Sequence, residues 1–173
     1  MTGSRRKIIL GAAAISVFAI ATVSHVSLRP ILVWNASASA SIGLYRLDDR
    51  APELGDLVLV KPGETLEQFI TDRGYLPPDI PLLKRVAAVP GDEICRENET
   101  VFINKEHVAD ALMTDSLGRE MPSWRACFTL KSDEVFLLNP PQKSLDGRYF
   151  GATKAAQIIA IAMPIWIRSD AQE

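Results

Sequence analysis

Leu83-Lys84-Arg85-Val86-Ala87-Ala88-Val89-Pro90-Gly91-Asp92 sets a lysine at the head of an apolar, strand-like run that stops in a Pro-Gly-Asp turn. Taken alone, its plainer reading is a β-strand carrying an ordinary surface lysine. The sharper reading is a lysine held against apolar neighbours. Burial disfavours the ammonium form, so such an amine can act as a base near neutral pH. The rest of the chain decides between the two.

Working outward, the sequence is built of short runs of this kind. Asp56 to Lys61 is a strand candidate ended by Pro62-Gly63, and Lys84 to Val89 is a second. Glu93 to Arg96 and Thr100 to Asn104 read as a hairpin through Glu97-Asn98-Glu99. Ala126 to Leu130, Glu134 to Asn139 and Gln157 to Ile167 complete the set. β-Branched residues, short spacing and Pro/Gly punctuation predict a mainly β, antiparallel domain. Thr65 to Arg73 breaks the pattern: its apolar residues recur at helical spacing, with Gly74 as a stop, so one short inserted helix is expected. Asp110 to Trp124 reads as a mobile polar connection. Ile158 to Ile167 is too short to span a bilayer and contains Pro164, so it is expected as a buried or edge strand.

The N-terminus has a different character. Arg5, Arg6 and Lys7 precede Ile8 to Leu28, a segment with no Asp, Glu, Lys or Arg, and Arg29 closes it. Its twenty-one residues would span roughly 31 Å as a helix, close to the thickness of a bilayer's hydrocarbon core. The expected organisation is a basic cytoplasmic tail (1–7), a single transmembrane anchor (8–28) and an exported domain (29–173). A cleaved signal peptide is the competing reading. The segment is longer than a typical signal core, and Ala21, Ser24 and Ser27 form no clean Ala-x-Ala site, which favours an uncleaved anchor.

Without Arg5, Arg6 and Lys7 the basic residues fall from 19 to 16 against 21 acidic ones, a net charge of −5. An acidic body offers no electrostatic footprint for DNA or RNA, so nucleic acid is not an expected partner. Cys95 and Cys127 both fall in the exported part. In an oxidising compartment such a pair often forms a disulfide, worth about 3–4 kcal/mol for a loop of this length; two buried thiols are the alternative. With only His25 and His107 besides, and His25 inside the apolar segment, no ordinary four-ligand zinc site can be assembled, and no metal or cofactor is expected.

Behind the apolar segment comes Trp34-Asn35-Ala36-Ser37-Ala38-Ser39-Ala40-Ser41-Ile42-Gly43-Leu44-Tyr45-Arg46. If extended, it lines up Ser37, Ser39 and Ser41 on one face, and the alanines leave room for a peptide backbone. A nucleophilic serine needs a base. Neither histidine is well placed, so a serine-lysine pair becomes the sharper hypothesis, against a simple Ser/Ala-rich linker. A third stretch, Ser144-Leu145-Asp146-Gly147-Arg148-Tyr149-Phe150-Gly151, offers a hydroxyl, a carboxylate and a guanidinium at one corner, or merely a surface turn.

These three stretches, in this order, resemble the membrane-bound serine-lysine signal peptidases, and most nearly their conjugative-transfer branch, the TraF-type pilin-processing peptidases. Asn35 to Tyr45 is similar to that branch's Asn-x-(Ser/Thr)-x-Ser-x-Pro-x-Gly-x-Tyr. Leu83 to Asp92 is similar to its Lys-Arg-Val-(Ala/Val)-(Ala/Gly)-x-Pro-Gly-Asp, and Ser144 to Gly151 to its Ser-x-Asp-Ser-Arg-Tyr-(Phe/Trp)-Gly. Thr65 to Tyr75, Trp124 shortly before Cys127, and Ala162 to Trp166 also look like that branch.

The resemblance implies a signal-peptidase-like β domain on the periplasmic side of a bacterial inner membrane. Registered on Gly43, it implies Ser39 as nucleophile and Lys84 as general base. Ser37 and the Ser39 N–H would be the oxyanion donors, Ser144 would orient the lysine, and Asp146 with Arg148 would brace the site. It also implies a conjugative pilin precursor as substrate, released by water or cyclised by its own amine. A general signal peptidase acting on exported proteins, or a non-catalytic assembly module, are the alternatives. Three positions depart from the pattern: Ser41 replaces a proline and becomes a rival nucleophile, Ala40 replaces the methionine of general signal peptidases, and Gly147 stands where a serine is usual.

Overall fold

The computed structural model describes residues 2–24 and 30–168. These fall into two units, residues 1–30 and 31–173. The first is a helix, α1 (Thr2–Ser24), whose apolar side chains Ile8, Leu10, Ile15 and Phe18 are exposed. Among the described residues no helix is long and apolar enough to cross a membrane. The segment expected to do so, 8–28, runs into residues 25–29, which lie outside the described residues, as does His25.

The second unit is mainly β. In chain order it contains β1 (Leu32–Asn35), β2 (Gly43–Asp48), β3 (Leu57–Val60), α2 (Glu64–Asp72), β4 (Leu82–Ala88), β5 (Glu93–Glu97), β6 (Thr100–Ile103) and β7 (Glu106–Asp110). There follow β8 (Ala126–Thr129), β9 (Glu134–Leu138), a single turn of helix α3 (Gly147–Phe150), β10 (Thr153–Lys154) and β11 (Ile158–Ile167). One sheet has seven strands in the order β1-β2-β11-β3-β4-β9-β10 and the other four in the order β7-β6-β5-β8, and neighbouring strands pair antiparallel. The seven strands and the inserted helix read from the sequence are present with small shifts of boundary. β1, β2, β7, β10 and α3 are additional.

Turn chemistry sets the registers. Asn104 and Lys105 both have positive φ (51° and 70°), the geometry a tight two-residue hairpin needs to match strand twist, and they join β6 to β7. Gly91, at φ 95°, turns the chain from the first sheet into the second, where the Val89 N–H donates to Asp92 Oδ2. The expected disulfide is present: Cys95 and Cys127 sit directly opposite each other in β5 and β8 and are bonded.

β11 is not an edge strand. It lies between β2 and β3, and Pro164 is accommodated because the register with β2 shifts between Pro164 and Trp166, so the missing N–H interrupts no regular ladder. Residues 111–124 are not a loose connection either. Asp115 accepts from Tyr75 Oη (2.6 Å) and Arg119 Nε (2.7 Å), which fastens this segment to the end of α2. The Tyr75 hydroxyl and the donors of Leu117 and Arg119 hold the Asp115 carboxyl well below the usual carboxylate range. The core that positions the site is Val58, Val60, Leu82, Val86, Leu137 and Ile161, capped by Ile70 of α2.

Candidate active site

Lys84 lies in β4, paired on one side with Val58 of β3 and flanked on the other by β9. Strand alternation puts it on the same face as Leu82 and Val86, among the core residues, while Leu83 and Arg85 face the other way. Its side chain is 4% exposed. Nζ donates to Ser144 Oγ at 2.8 Å. Burial lowers the amine's pKa from 10.5 to about 8; Asp146 opposes the shift and Arg148 adds to it.

The Ser144–Gly151 corner is a buried electrostatic brace. Arg148 Nε donates to Asp146 Oδ1 at 2.8 Å, and Nη2 donates to Asn139 O at 2.6 Å. Asp146 Oδ2 accepts from the Asn139 N–H at 3.0 Å, and Arg148 Nη1 reaches Asp110 O and Gln142 O. Asp146 and Arg148 are 5% and 2% exposed. A buried pair of this kind is tolerable only when its remaining donors and acceptors are filled, and here they are. The corner is therefore not a surface turn.

Gly147 has a steric cause. A Cβ there would come within 2.8 Å of Leu137 O and of the Phe136 ring, so the space a serine would occupy is filled by phenylalanine. The Gly147 carbonyl is taken by Trp124 Nε1 at 3.1 Å.

The serines lie in the loop between β1 and β2. Residues 36–42 form a turn rather than a strand, so Ser37, Ser39 and Ser41 do not share a face by alternation. Asn35 organises this loop. Its Nδ2 donates to the carbonyls of Ser37, Ala40 and Ser41, and its Oδ1 accepts from Ser37 N and Oγ. Ser37 Oγ and Ser39 Oγ share a hydrogen bond of 3.1 Å. The loop returns to the sheet at Gly43, where a Cβ would collide with Trp166 O and Ile167 Cα; Tyr45 Oη donates to Ser41 O at 2.6 Å.

Of the expected residues, then, Lys84, Ser144, Asp146 and Arg148 form one buried cluster, and Ser37 with Ser39 forms a separate pair in the exposed loop. No hydrogen bond joins Ser39 to Lys84. They also line separate cavities. Ser39 borders one of about 570 Å³ with Ser41, Tyr45, Leu57 and Arg85. Lys84 borders one of about 270 Å³ with Leu66 of α2, Leu82, Leu145 and Asp146. His107 is on the surface, paired with Asp110 at 3.1 Å and away from both.

Sequence reasoning missed Asn139, and it took in Asn35 as the first residue of a motif without giving it a role. Asn139 Nδ2 donates to Leu83 O at 2.9 Å and its Oδ1 accepts from Arg85 N at 3.0 Å, so it fixes the backbone on both sides of Lys84. The only signal was its place as the last polar residue before Pro140-Pro141.

The profile of the signal peptidase, peptidase S26 family matches residues 5–167, and the chain belongs to that family. Within it, the chain is similar to proteins of plasmid transfer. It is 30% identical to the plasmid transfer protein TraF of Escherichia coli, over 76% of this chain and 80% of that one. It is also 30% identical to a probable conjugal transfer protein TraF of Sinorhizobium fredii, over 95% and 94%. Among solved structures, a signal peptidase I from Enterococcus faecalis V583 matches 66% of this chain and 98% of its own, at 17% identity and a TM-score of 0.38.

Proposed function

We propose that this chain is a membrane-anchored serine endopeptidase that matures a conjugative pilin precursor, using Ser39 as nucleophile and Lys84 as general base. The observation that carries the reading is the buried Lys84 amine, lowered to a pKa of about 8 and held by Ser144 Oγ. A neutral amine with one hydrogen committed to Ser144 keeps its lone pair free to take a proton. For attack, Ser39 Oγ exchanges its bond to Ser37 Oγ for one to Lys84 Nζ, a tightening of the kind common between free and substrate-bound states. That exchange releases the Ser37 hydroxyl to donate, with the Ser39 N–H, to the developing oxyanion. Lys84 then protonates the leaving amine and activates the second nucleophile. Ala40 packs against Leu83, Leu59 and Tyr45, a surface suited to small side chains on the acyl side.

The membrane is the second expected partner. Arg5, Arg6 and Lys7 ahead of an apolar helix support an anchor at 8–28 with a cytoplasmic N-terminus and a periplasmic domain from 29 onward. Trp34 stacks on Trp166 with ring centroids 5.7 Å apart, both about half exposed, as aromatic residues at a membrane interface are. The plasmid and conjugal transfer relatives support a role in conjugative transfer, for which the motif resemblance implies a pilin-type substrate whose own N-terminal amine can replace water if it is held close enough. The family's signal-peptidase character favours a second reading, removal of leader peptides from many exported proteins.

The test is complementation of a deletion strain with Lys84→Met or Ser39→Ala. Both should be made at normal levels and accumulate unprocessed pilin precursor; mature pilin in the Lys84→Met strain would overturn the mechanism. The mass of the wild-type product, with or without the loss of one water, separates cyclisation from hydrolysis. Rescue of a strain lacking its housekeeping signal peptidase would support the second reading.

A further inference from the structure

We infer that Arg96 and Trp124, tied together by the Cys95–Cys127 disulfide, are positioning residues for Lys84: they clasp the α3 turn that carries the lysine's brace. The inference deepens the serine-lysine reading above by naming what keeps its base in place. In the second sheet β5 and β8 are neighbours, with Cys95 opposite Cys127 and Arg96 opposite Ala126. Arg96 on β5 and Trp124 just ahead of β8 each donate to α3. Arg96 Nη1 reaches Arg148 O at 2.5 Å, and Trp124 Nε1 reaches Gly147 O at 3.1 Å. These are consecutive carbonyls, directly after Asp146, the N-cap of α3. Asp146 and Arg148 form the buried ion pair, and Ser144 holds Nζ. The two donors thus grip the main chain of the brace, and neither bonds the amine.

Two observations set this apart from ordinary packing. Arg96 is 5% exposed, yet its hydrogen bonds go to the carbonyls of Asn98 and Arg148 rather than to a carboxylate. A buried cation in that setting is costly, and an apolar side chain would serve a strand interior better. Ala126 has φ 129°, outside the regions that an L-residue ordinarily adopts. Such backbone persists only where its surroundings over-determine it. Here the disulfide fixes one side of Ala126, and the Trp124 ring, packed on Phe128 and Phe136, fixes the other. Releasing the clasp lets the 144–151 corner move and admits water to the amine. Burial is the largest cause of the lowered Lys84 pKa, so hydration raises it. Asp146 and Arg148 are the charged groups acting on Nζ, and Lys61 and Glu64 line the cavity it borders. The substitutions below change none of these four.

The experiment titrates the Lys84 15Nζ resonance of the full chain in detergent micelles, assigned by its loss in Lys84→Met. The wild-type midpoint is expected at about 8. Trp124→Phe keeps an aromatic ring and loses the N–H. It and Arg96→Met should each raise the midpoint by about half a pH unit or more, leaving about a third of the neutral amine at pH 7. Cys95→Ala with Cys127→Ala should raise it as far. Adding Trp124→Phe to that pair should raise it little further, because the same clasp is already released. Val101→Ala, in the core of the same sheet, destabilises without touching the clasp and should leave the midpoint in place. Unchanged midpoints in Trp124→Phe and Arg96→Met, or an equal rise in Val101→Ala, would overturn the inference. Fully additive shifts would overturn the disulfide's part in it. If Arg96→Met does not fold, Trp124→Phe alone decides. The titration reads the amine itself, so its outcome is separate from that of the serine-lysine reading, which pilin maturation by Lys84→Met would overturn.

Discussion

Asn139 clasps the backbone on both sides of Lys84, donating to Leu83 O at 2.9 Å and accepting from Arg85 N at 3.0 Å. β4 and β9 shift register between Val86 and Ala88, and at the strand end the side chain of Asn139 supplies the hydrogen bonds that another residue's backbone would otherwise make. The lysine's aim therefore depends on a neighbour that never touches its amine. Asn139→Leu would leave a carbonyl and an N–H without these partners. At about 1–3 kcal/mol for each unsatisfied group, stability should fall by about 2–6 kcal/mol. Denaturant unfolding measures the loss; a change below about 1 kcal/mol would mean that water replaces the side chain.

The buried amine carries a stability cost of its own. Lys84 binds its proton at about 8 in the folded chain against 10.5 in the unfolded one. Between those values the unfolded state holds more protons, so stability rises with pH across the window and the full cost stands below pH 8. That cost is about 3 kcal/mol. Lys84→Met removes it and gives up one bond to Ser144, about 1 kcal/mol, for a net gain of about 2 kcal/mol at pH 7. The gain should shrink as pH climbs from 8 to 10.5. Equilibrium unfolding at pH 7 and pH 10 tests both statements, and a less stable Lys84→Met at pH 7 contradicts them.

The proposed mechanism makes the same amine set the rate profile. In it only neutral Lys84 takes the serine proton, so kcat/KM should rise about tenfold per pH unit below about 8 and level off above it. Asp146→Asn removes the charge that opposes the downward shift, so in that variant the midpoint should move lower. A midpoint near 10.5 in the wild-type chain would show that the amine is not held in its buried setting during turnover.

Among the three serines the expected order of effect is uneven. Ser39→Ala should abolish acylation, whereas Ser37→Ala should lose about 10²–10³ in kcat, as removal of one oxyanion donor does. Ser41 serves the loop through its carbonyl, which accepts from Tyr45 Oη and Asn35 Nδ2, so Ser41→Ala should stay within a few-fold of wild type. Burst kinetics on the three variants decide; an inactive Ser41→Ala with an active Ser39→Ala would transfer the nucleophile.

Gly147→Ser would restore the residue usual at this point of the resembling motif, yet it should destabilise this chain. The new Cβ meets Leu137 O and the Phe136 ring at 2.8 Å, an overpacking cost of about 1–3 kcal/mol. Adding Phe136→Leu should recover part of the loss, because the ring is one of the two obstacles. A thermal melt of the single and double variants shows whether the two positions are coupled.

The sequence by itself determined the mainly β kind of fold and named the candidate residues of the site. Strand-length apolar runs, Pro/Gly stops and one helical period specify an antiparallel β domain with a short helix, because pleat alternation and turn geometry are local properties. Three motifs named Ser39, Lys84, Ser144, Asp146 and Arg148, and two cysteines anticipated the bond that pairing of β5 with β8 makes. Only the tertiary structure decided how those groups are held. Asn139 acts through backbone atoms that any residue carries, and Asn35 largely does, taking only the Ser37 hydroxyl besides, so most of their partners leave no mark in the sequence. The place of β11 inside the sheet, the fastening of residues 111–124 by Asp115, and Phe136 in the space opposite Gly147 arise between segments far apart in the chain. So does the division of lysine and serine between two cavities, which depends on which face of β4 each element covers.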